Sequence, residues 1–255
     1  MKRLRLVLGA DAHAVDVVDS GPADGPVFLL LHGVGLSHRP YLRLAEQLAP
    51  HGRVIALDLP GFGSTPTPDR SIPVEEYARL IVQALATLEV TACVAIGHSM
   101  GAQFALALAL EQPELVSHVV LIGPVTDSAH PSAARQMLVL ARDSLLEPPL
   151  TNALVFSDYV RTGPRWYFTE VAAMLAYPTH ERIGSLTAPL LIIRGGHDPI
   201  ATTEWCERLL RLAGGGTLHV IDRHRHVVAH TAADRVAHAI VGHAVTAPAP
   251  SDAPR

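Results

Sequence analysis

The chain alternates short, wholly apolar runs with longer segments whose apolar residues recur at spacings of three and four. Apolar runs of this length are typical of parallel strands buried on both faces, and the longer spacing is typical of amphipathic helices. The predicted strands are Val27–Leu31, Val54–Leu57, Ala92–Ile96, Val119–Ile122, Leu190–Ile193 and Leu218–Ile221, and the predicted helices are Tyr41–Leu48, Val74–Leu88, Met100–Glu111, Thr202–Leu212 and Ala232–Val245. This alternation predicts an α/β fold, in which a mostly parallel sheet carries helices on both faces.

Two further strands precede these runs. The stretch Arg3–Leu6 alternates arginine with leucine, and a period of two predicts a half-buried strand that continues to Leu8. A second strand is predicted from His13 to Asp19, and the pair predicts an antiparallel hairpin at one edge of the sheet. The predicted sheet therefore has eight strands.

One connection breaks the alternation. About 65 residues separate the strand that ends near Gly123 from the strand that begins near Leu190, far more than a crossover needs. The interval is rich in large apolar residues and is interrupted by Glu147-Pro148-Pro149 and Gly163-Pro164, which predicts a small helical lid. The predicted organisation is a core of residues 1–125 and 189–246, a lid of residues 126–188 and a flexible tail of residues 247–255.

Composition argues against several classes of partner. The 255 residues include 20 Lys and Arg against 24 Asp and Glu, so the chain lacks the basic surplus that nucleic acids and anionic membranes attract. No uncharged apolar run reaches about 18 residues, so no membrane span is expected. Two cysteines, Cys93 and Cys206, provide neither a disulfide framework nor a metal-ligand spacing. We therefore expect a cytoplasmic protein that acts on a small molecule, and its oligomeric state stays open.

The predicted strand Ala92–Ile96 is followed at once by Gly97-His98-Ser99-Met100-Gly101 and then by a predicted helix. This is the pattern G-x-S-x-G between a strand and a helix. A turn this sharp holds its serine in a strained backbone conformation that points the hydroxyl away from the sheet. Glycine is needed where the chain passes close to its neighbours. Ser99 is therefore the candidate nucleophile.

With these residues the chain resembles the α/β-hydrolase family, and four further segments resemble motifs of that family in the expected order. They are Leu30-Leu31-His32-Gly33, Asp58-Leu59-Pro60-Gly61-Phe62-Gly63-Ser64, Arg194-Gly195-Gly196-His197-Asp198 and Arg225-His226. The resemblance covers nearly the whole chain. It implies the α/β-hydrolase fold, with a serine nucleophile, an acid after the seventh strand and a histidine after the last strand.

The resemblance implies that Ser99, Asp198 and His226 form a catalytic triad, in the chain order of that family. A serine hydroxyl is a poor nucleophile at neutral pH unless a base removes its proton during attack, and this is the role implied for His226. Asp198 then holds the imidazole in the correct tautomer and stabilises the imidazolium that forms.

Several positions leave alternatives open. His224 and His230 lie in the same segment as His226, and Arg225 stands where the family usually has a glycine. Asp127, which follows the preceding strand, is the rival acid because some members of the family use that position.

The tetrahedral intermediate of acyl transfer needs backbone N–H donors for its negative charge. The resemblance implies that Met100, directly after the nucleophile, and Val34, after the His-Gly turn, supply them. His32 is expected to brace that turn by hydrogen bonding rather than to join the chemistry. Asp58 and Ser64 are likewise interpreted as turn structure.

The lid contributes the predicted substrate pocket. Met137, Trp166, Tyr167 and Phe168 suit an apolar acyl or alcohol group, although the same residues are equally typical of a lid that packs on itself. The sequence therefore leaves both roles open for them.

The sequence as a whole predicts a serine hydrolase that cleaves carboxylic esters, thioesters or lactones of small to medium apolar substrates through an acyl-enzyme, with no metal or organic cofactor. Dehalogenases and epoxide hydrolases of the family use an aspartate where Ser99 stands, which disfavours both, and C–C bond hydrolases often have tryptophan where Val227 stands. The alternatives that remain are a C–C bond hydrolase, a lyase or cyclase of a biosynthetic pathway, and a non-catalytic ligand-binding member of the fold.

Overall fold

The computed structural model describes residues 1–125 and 149–246. These residues form one eight-stranded sheet in the order β1-β2-β4-β3-β5-β6-β7-β8. The strands are β1 (Lys2–Leu8), β2 (His13–Ser20), β3 (Val27–Leu31), β4 (Arg53–Asp58), β5 (Cys93–His98), β6 (Val116–Ile122), β7 (Leu190–Gly195) and β8 (Thr217–Ile221). Strand β2 pairs antiparallel with β1 and β4, and the other pairings are parallel. The predicted sheet and its edge hairpin are confirmed.

Helices cover both faces of this sheet. They are α1 (Leu42–Leu48), α2 (Val74–Thr87), α3 (Met100–Glu111), α4 (Pro149–Thr162), α5 (Pro164–Ala176), α6 (Thr179–Arg182), α7 (Thr203–Leu212), α8 (Val228–Thr231) and α9 (Ala233–Thr246). The five helices expected in the core are present, with bounds within one residue of the prediction. None of the helices in residues 1–125 and 149–246 has the length and apolar character that a membrane span requires.

The apolar core forms two layers, one on each face of the sheet. Successive side chains of a strand point to opposite faces, so Leu29 and Leu31 of β3 enter the layer beneath α2 and α3, whereas Phe28 and Leu30 enter the layer beneath α1 and α9. Burial on both faces is the reason that the central strands are continuous apolar runs rather than alternating ones.

The strand order changes direction at β3, which lies between β4 and β5. At such a point the loops leaving neighbouring parallel strands turn to opposite faces and open a crevice at the carboxyl ends of the strands. The loop after β3 and the turn after β5 meet at this edge, because a Cβ added to Gly33 would lie 3.0 Å from the Cβ of Ser99. The fold thereby brings two of the predicted motifs together.

Gly101 and Gly242 provide a matched test of the packing around α3. A Cβ on Gly101 would lie 2.2 Å from the backbone oxygen of Leu31, whereas within residues 1–125 and 149–246 a Cβ on Gly242, in α9, would meet no atom within 4 Å outside the backbone of its own helix. We expect Gly101→Ala to lower the free energy of unfolding by about 1–3 kcal/mol, because backbone must shift to admit the methyl group. Gly242→Ala should raise it by up to about 1 kcal/mol through helix propensity. Urea denaturation measures both, and equal stability of the two variants would contradict the close approach of α3 to β3.

Candidate active site

Ser99 occupies a sharp turn between β5 and α3. Its backbone has φ 56° and ψ −120°, in a region that residues other than glycine rarely adopt and that costs of order 1–3 kcal/mol. The turn leaves no space for larger neighbours, because a Cβ on Gly97 would lie 1.9 Å from the backbone oxygen of Gly101. The strained turn and the need for both glycines are as the motif predicts.

Asp198 and His226 meet at the same edge of the sheet. Asp198 follows β7 and His226 follows β8, and Nδ1 of His226 lies 2.9 Å from Oδ2 of Asp198. The second carboxylate oxygen, Oδ1, accepts hydrogen bonds from the backbone N–H groups of Ile200 and Ala201 at 2.8 and 3.1 Å. The carboxylate is thus held in one orientation, in which it accepts the Nδ1 proton of the imidazole.

Electrostatics keep Asp198 ionised. Burial alone raises the pKa of this carboxyl, but the neighbouring His226 and the two backbone donors outweigh burial, so the pKa of Asp198 lies below its ordinary value. A buried carboxylate that stays charged at neutral pH can stabilise an imidazolium beside it.

The structure separates the three histidines that the sequence left as alternatives. Nδ1 of His224 lies 2.9 Å from the hydroxyl of Thr231, and Nδ1 of His230 donates to the backbone oxygen of Pro40 at 3.0 Å. His226 is the one of the three that contacts the acid after β7. The rival acid and one predicted pocket residue, Asp127 and Met137, lie outside the described residues, as does the predicted tail of residues 247–255.

Arg225 stands where the family usually has a glycine before the histidine, and neighbouring residues take the conformations that this turn requires. Arg223 adopts a positive φ of 64° in this turn. The close approach falls on Gly195, where a Cβ would lie 2.3 Å from the backbone oxygen of Arg225. Arg223 therefore provides the positive φ and Gly195 provides the space, so Arg225 fits without a positive φ.

Arg194 holds the turn that carries the acid, a role that the sequence analysis did not assign. Its buried guanidinium donates to the backbone oxygens of Asp198 at 3.0 Å and Ala201 at 2.5 Å, and to the hydroxyl of Thr203 at 3.0 Å. The planar fork of arginine suits several acceptors at fixed positions. The position of Asp198 thus depends on a side chain at the end of β7.

Ser99 and the Asp198–His226 pair are neighbours through their flanking residues. The ring of His98 lies 4.8 Å from the ring of His226, and a Cβ on Gly123, at the end of β6, would lie 3.1 Å from Nδ1 of His226. Gly123 has φ +53° and leaves room for the imidazole and carboxylate. The three predicted triad residues therefore follow β5, β7 and β8 at one edge of the sheet, with Gly123 between them.

The His-Gly turn after β3 is braced as expected. Nδ1 of His32 donates to the backbone oxygen of Gly33 at 2.9 Å, and Nε2 accepts the backbone N–H of Leu59 at 3.1 Å. Burial lowers the pKa of His32, in agreement with a neutral ring that donates at one nitrogen and accepts at the other. His32 therefore ties the loop after β3 to the loop after β4.

Asp58 and Ser64 also have structural contacts, as predicted. Asp58 accepts from Nδ1 of His38 at 2.8 Å, and a Cβ on Gly63 would lie 2.3 Å from its carboxylate. The hydroxyl of Ser64 donates to Asp16 on β2. Both residues hold loops at the carboxyl edge of the sheet.

The two amides expected to bind an oxyanion belong to residues that follow the turn after β5 and the His-Gly turn after β3. Met100 opens α3, and the first N–H groups of a helix have no acceptor within the helix. Val34 follows Gly33, whose Cα is so close to Ser99 that a Cβ there would lie 3.0 Å from the serine Cβ. Both Val34 and Met100 are buried residues next to the candidate nucleophile.

Helices α4 and α5 belong to the segment predicted as a lid and lie between β6 and β7 in the chain. Buried Asp158 of α4 accepts the backbone N–H and the hydroxyl of Ser37 at 3.1 and 2.7 Å, and a guanidinium nitrogen of Arg39 at 2.8 Å. A buried carboxylate that loses its partners leaves an unpaired charge, so these contacts hold α4 on the loop that carries Val34.

The aromatic residues of the predicted pocket divide into two groups. Trp166 is buried against Gly61, where a Cβ would lie 2.0 Å from its indole nitrogen, and Tyr167 packs against Gly35 and the ring of Tyr159. Phe168 is 52% exposed. Trp166 and Tyr167 therefore pack α5 onto the loops after β4 and β3, whereas Phe168 lies largely in solvent.

Glu170 is a buried carboxyl on α5. The hydroxyl of Ser71 lies 3.5 Å from Oε1, and Oε2 has no hydrogen-bond partner among the residues that the structure describes. Burial raises the pKa of Glu170 to about 7. An acid with a raised pKa binds its proton more tightly in the folded chain than in the unfolded one, so the folded state loses stability as the pH rises above about 4.3, the ordinary glutamate pKa.

This carboxyl predicts a pH-dependent effect on stability. Glu170→Gln removes the titration, so the variant should gain about 2 kcal/mol of unfolding free energy relative to the natural chain between about pH 5 and pH 8. Urea denaturation across that range measures the difference, and Glu46→Gln, at an exposed position on α1, is the matched control. A difference that stays constant with pH would show that Glu170 titrates normally.

Comparison with known proteins agrees with these observations. Residues 28–239 match the model of the alpha/beta hydrolase family, and the chain belongs to this family. It is 25% identical over 245 residues to (E)-2-((N-methylformamido)methylene)succinate hydrolase of Acinetobacter baylyi, covering 88% of this chain and 92% of that protein. It is 27% identical over 241 residues to a protein of Variovorax paradoxus provisionally named carbamate hydrolase RutD, covering 83% and 90%.

Solved structures show the same fold. A hydrolase from Pseudomonas aeruginosa has a TM-score of 0.82 with 18% identity, over 96% of this chain and 99% of that one. The enol-lactonase of Burkholderia xenovorans has a TM-score of 0.78 with 20% identity, over 90% and 96%. The meta-cleavage product hydrolase of Pseudomonas fluorescens has a TM-score of 0.74 with 23% identity, over 94% and 96%. At these identities the likeness establishes the fold, and the reaction must be argued from the site.

Proposed function

We propose that this chain is a serine hydrolase that cleaves carboxylic esters, thioesters or lactones of small to medium apolar substrates. In this proposal Ser99 is the nucleophile, His226 the general base and Asp198 the acid that orients it. The observation that carries the proposal is the 2.9 Å contact between Nδ1 of His226 and Oδ2 of Asp198, at the edge of the sheet where Ser99 occupies its strained turn.

The proposed reaction follows from the protonation of the imidazole. Because Nδ1–H is committed to Asp198, Nε2 has a lone pair and removes the proton of Ser99 Oγ as that oxygen attacks the substrate carbonyl. The carbonyl oxygen becomes negatively charged, and the N–H groups of Val34 and Met100 stabilise it. The imidazolium then protonates the leaving alcohol or thiol. Nε2 then deprotonates a water molecule as that water attacks the acyl carbonyl, and the imidazolium returns the proton to Oγ of Ser99 as the C–Oγ bond breaks and the carboxylic acid leaves.

Apolar surroundings support an apolar substrate. Trp166 and Tyr167 both lie on α5; Tyr167 packs against Gly35, the residue after the proposed oxyanion donor Val34, and Trp166 packs against Gly61 in the loop after β4. Sites of this kind bind small molecules through apolar walls with a few polar groups at fixed positions. We therefore expect turnover to increase from acetyl to medium-length acyl esters.

A second candidate reaction is hydrolysis of an amide or carbamate of a small acid. Two relatives that match most of this chain are named for substrates with a formamido or a carbamate group. The same attack by Ser99 would serve, with protonation of a nitrogen leaving group by His226. The C–C bond alternative has the fold likeness to a meta-cleavage product hydrolase in its favour and Val227, in place of tryptophan, against it.

We also propose that the protein works in the cytoplasm on a small-molecule substrate. Cys93 and Cys206 are buried free thiols, and burial raises the pKa of each to about 12, so both are weakly reactive. Unpaired cysteines are typical of a reducing compartment.

Substitution of the proposed triad tests the mechanism. With p-nitrophenyl butyrate as substrate, Ser99→Ala should lower kcat by about 10³-fold or more, because no covalent intermediate can form. Asp198→Asn should also lower kcat by about 10³-fold or more, because the amide favours the wrong imidazole tautomer. Ser117→Ala, on β6 with its hydroxyl on the backbone oxygen of Cys93, is the matched control and should keep full activity.

Covalent labelling and isotope incorporation separate hydrolysis from the alternatives. A fluorophosphonate should add once per chain, at Ser99, and abolish activity in proportion. Hydrolysis in water enriched in ¹⁸O should place the label in the released carboxylic acid, whereas a lyase or cyclase product would carry none. Wild-type activity in the Ser99→Ala variant, or an absence of labelling at Ser99, would refute the proposed mechanism.

A further inference from the structure

A chain of hydrogen bonds joins three of the loops that form the candidate site. The backbone N–H of Gly33, in the loop after β3, donates to the hydroxyl oxygen of Tyr41 at 3.3 Å. That hydroxyl lies 2.8 Å from Nδ1 of His98, the last residue of β5 before the Ser99 turn, and Nε2 of His98 lies 2.8 Å from the backbone oxygen of His226 after β8. The side chains of Tyr41 and His98 therefore link the three loops directly.

The acceptors determine the direction of every bond in this chain. A carbonyl oxygen can only accept, so Nε2 of His98 carries a proton and donates it to the oxygen of His226. In a neutral ring Nδ1 then has no proton, so it accepts from the hydroxyl of Tyr41. The tyrosine oxygen in turn accepts from Gly33. One tautomer of His98 satisfies all three contacts.

Burial keeps this arrangement unchanged across the working range of pH. His98 and Tyr41 are buried, and burial, reinforced by the proximity of His226, lowers the pKa of His98 to about 3. Burial also raises the pKa of Tyr41 above its ordinary value. Neither side chain changes its charge near neutral pH, which distinguishes this pair from an acid–base catalyst.

We propose that His98 and Tyr41 are positioning residues, which hold the Ser99 turn, the backbone of His226 and the loop that carries Val34 at fixed separations. The inference rests on the proposed function, since it assigns those three loops to one reaction. Reacting groups must be held in near-attack geometry, and misplacement by about 1 Å can cost on the order of 10²-fold in rate. The hydrogen bonds of the pair go to backbone atoms of Gly33 and His226, and the ring of His98 packs 4.8 Å from the ring of His226.

Three substitutions test the role of this pair. Tyr41→Phe removes one hydroxyl, His98→Phe keeps a flat ring without either hydrogen bond, and His98→Gln restores an amide that can donate to the His226 oxygen. His118→Phe removes a buried imidazole near the start of β6, where His118 packs against His243, and is the matched control.

We expect Tyr41→Phe and His98→Phe each to lower kcat by about 10-fold or more while KM changes by less than about 2-fold. His98→Gln should recover part of the loss. The double variant should lose no more kcat than His98→Phe alone, because both substitutions interrupt the same series of hydrogen bonds. His118→Phe should keep the kcat of the natural chain per folded molecule. Losses that multiply in the double variant, or that appear equally in His118→Phe, would overturn the inference.

Two further outcomes keep this inference separate from the proposed function. Unchanged kcat in His98→Phe, with Ser99→Ala inactive, would refute the positioning role and leave the hydrolase mechanism intact. If the natural chain neither turns over esters nor reacts with fluorophosphonate, ¹⁵N NMR of the imidazoles still tests whether the hydrogen-bond network of Tyr41, His98 and His226 exists. His98 should then show an Nε2–H tautomer that does not titrate between about pH 5 and pH 9, and His98→Phe should shift the ring signals of His226. A titrating His98, or unshifted His226 signals, would overturn the network itself.

Discussion

The close approach of backbone to backbone at the end of β5 is the constraint on which the site depends. At Gly97 and Gly101 a single added carbon would overlap the facing main chain, and Ser99 between them accepts a positive φ. Such strain persists when the surrounding structure over-determines it, and here β3 and β6 lie on either side of β5. The backbone N–H of Ser99 also donates to Ile122 at the end of β6, at 2.9 Å. Position and strain of the candidate nucleophile are therefore properties of the sheet rather than of the turn alone.

Around this turn the buried polar side chains are connected by hydrogen bonds whose donors and acceptors are defined. Asp198 is held by two backbone donors and by the turn that Arg194 clamps, and His226 is held at both its ring and its backbone oxygen. Buried polar networks rigidify a site when their members are satisfied, since each unpaired group costs free energy. The same logic extends to Asp158, which joins the covering helices to the loop after β3. Two sets of buried polar contacts, one from Tyr41 through His226 to Asp198 and one around Asp158, therefore hold the loops at this edge of the sheet.

Much of this was readable from the chain. Periodicity predicted the core helices to within one residue, and the G-x-S-x-G pattern predicted the Ser99 turn, because burial and close backbone approach leave a pattern in consecutive residues. The choice among His224, His226 and His230 was open, since loop position alone does not say which ring faces an acid from another strand. Sequence alone likewise could not separate buried Trp166 from half-exposed Phe168, two positions apart on one helix. The positioning roles of Arg194 and Tyr41 could not be predicted from the sequence, because their hydrogen-bond partners lie on other segments or on the main chain.

From the sequence alone, periodicity and the positions of glycines determined the α/β architecture and the strained serine turn, and the resemblance to the α/β-hydrolase family implied the order of the candidate nucleophile, acid and base. Tertiary structure alone decided which histidine meets Asp198, which tautomer His98 must adopt and how the covering helices dock on the loop of Val34. Those outcomes depend on hydrogen-bond geometry between segments that are far apart in the chain, and side-chain direction across a gap of many residues is a property of packing, not of local pattern.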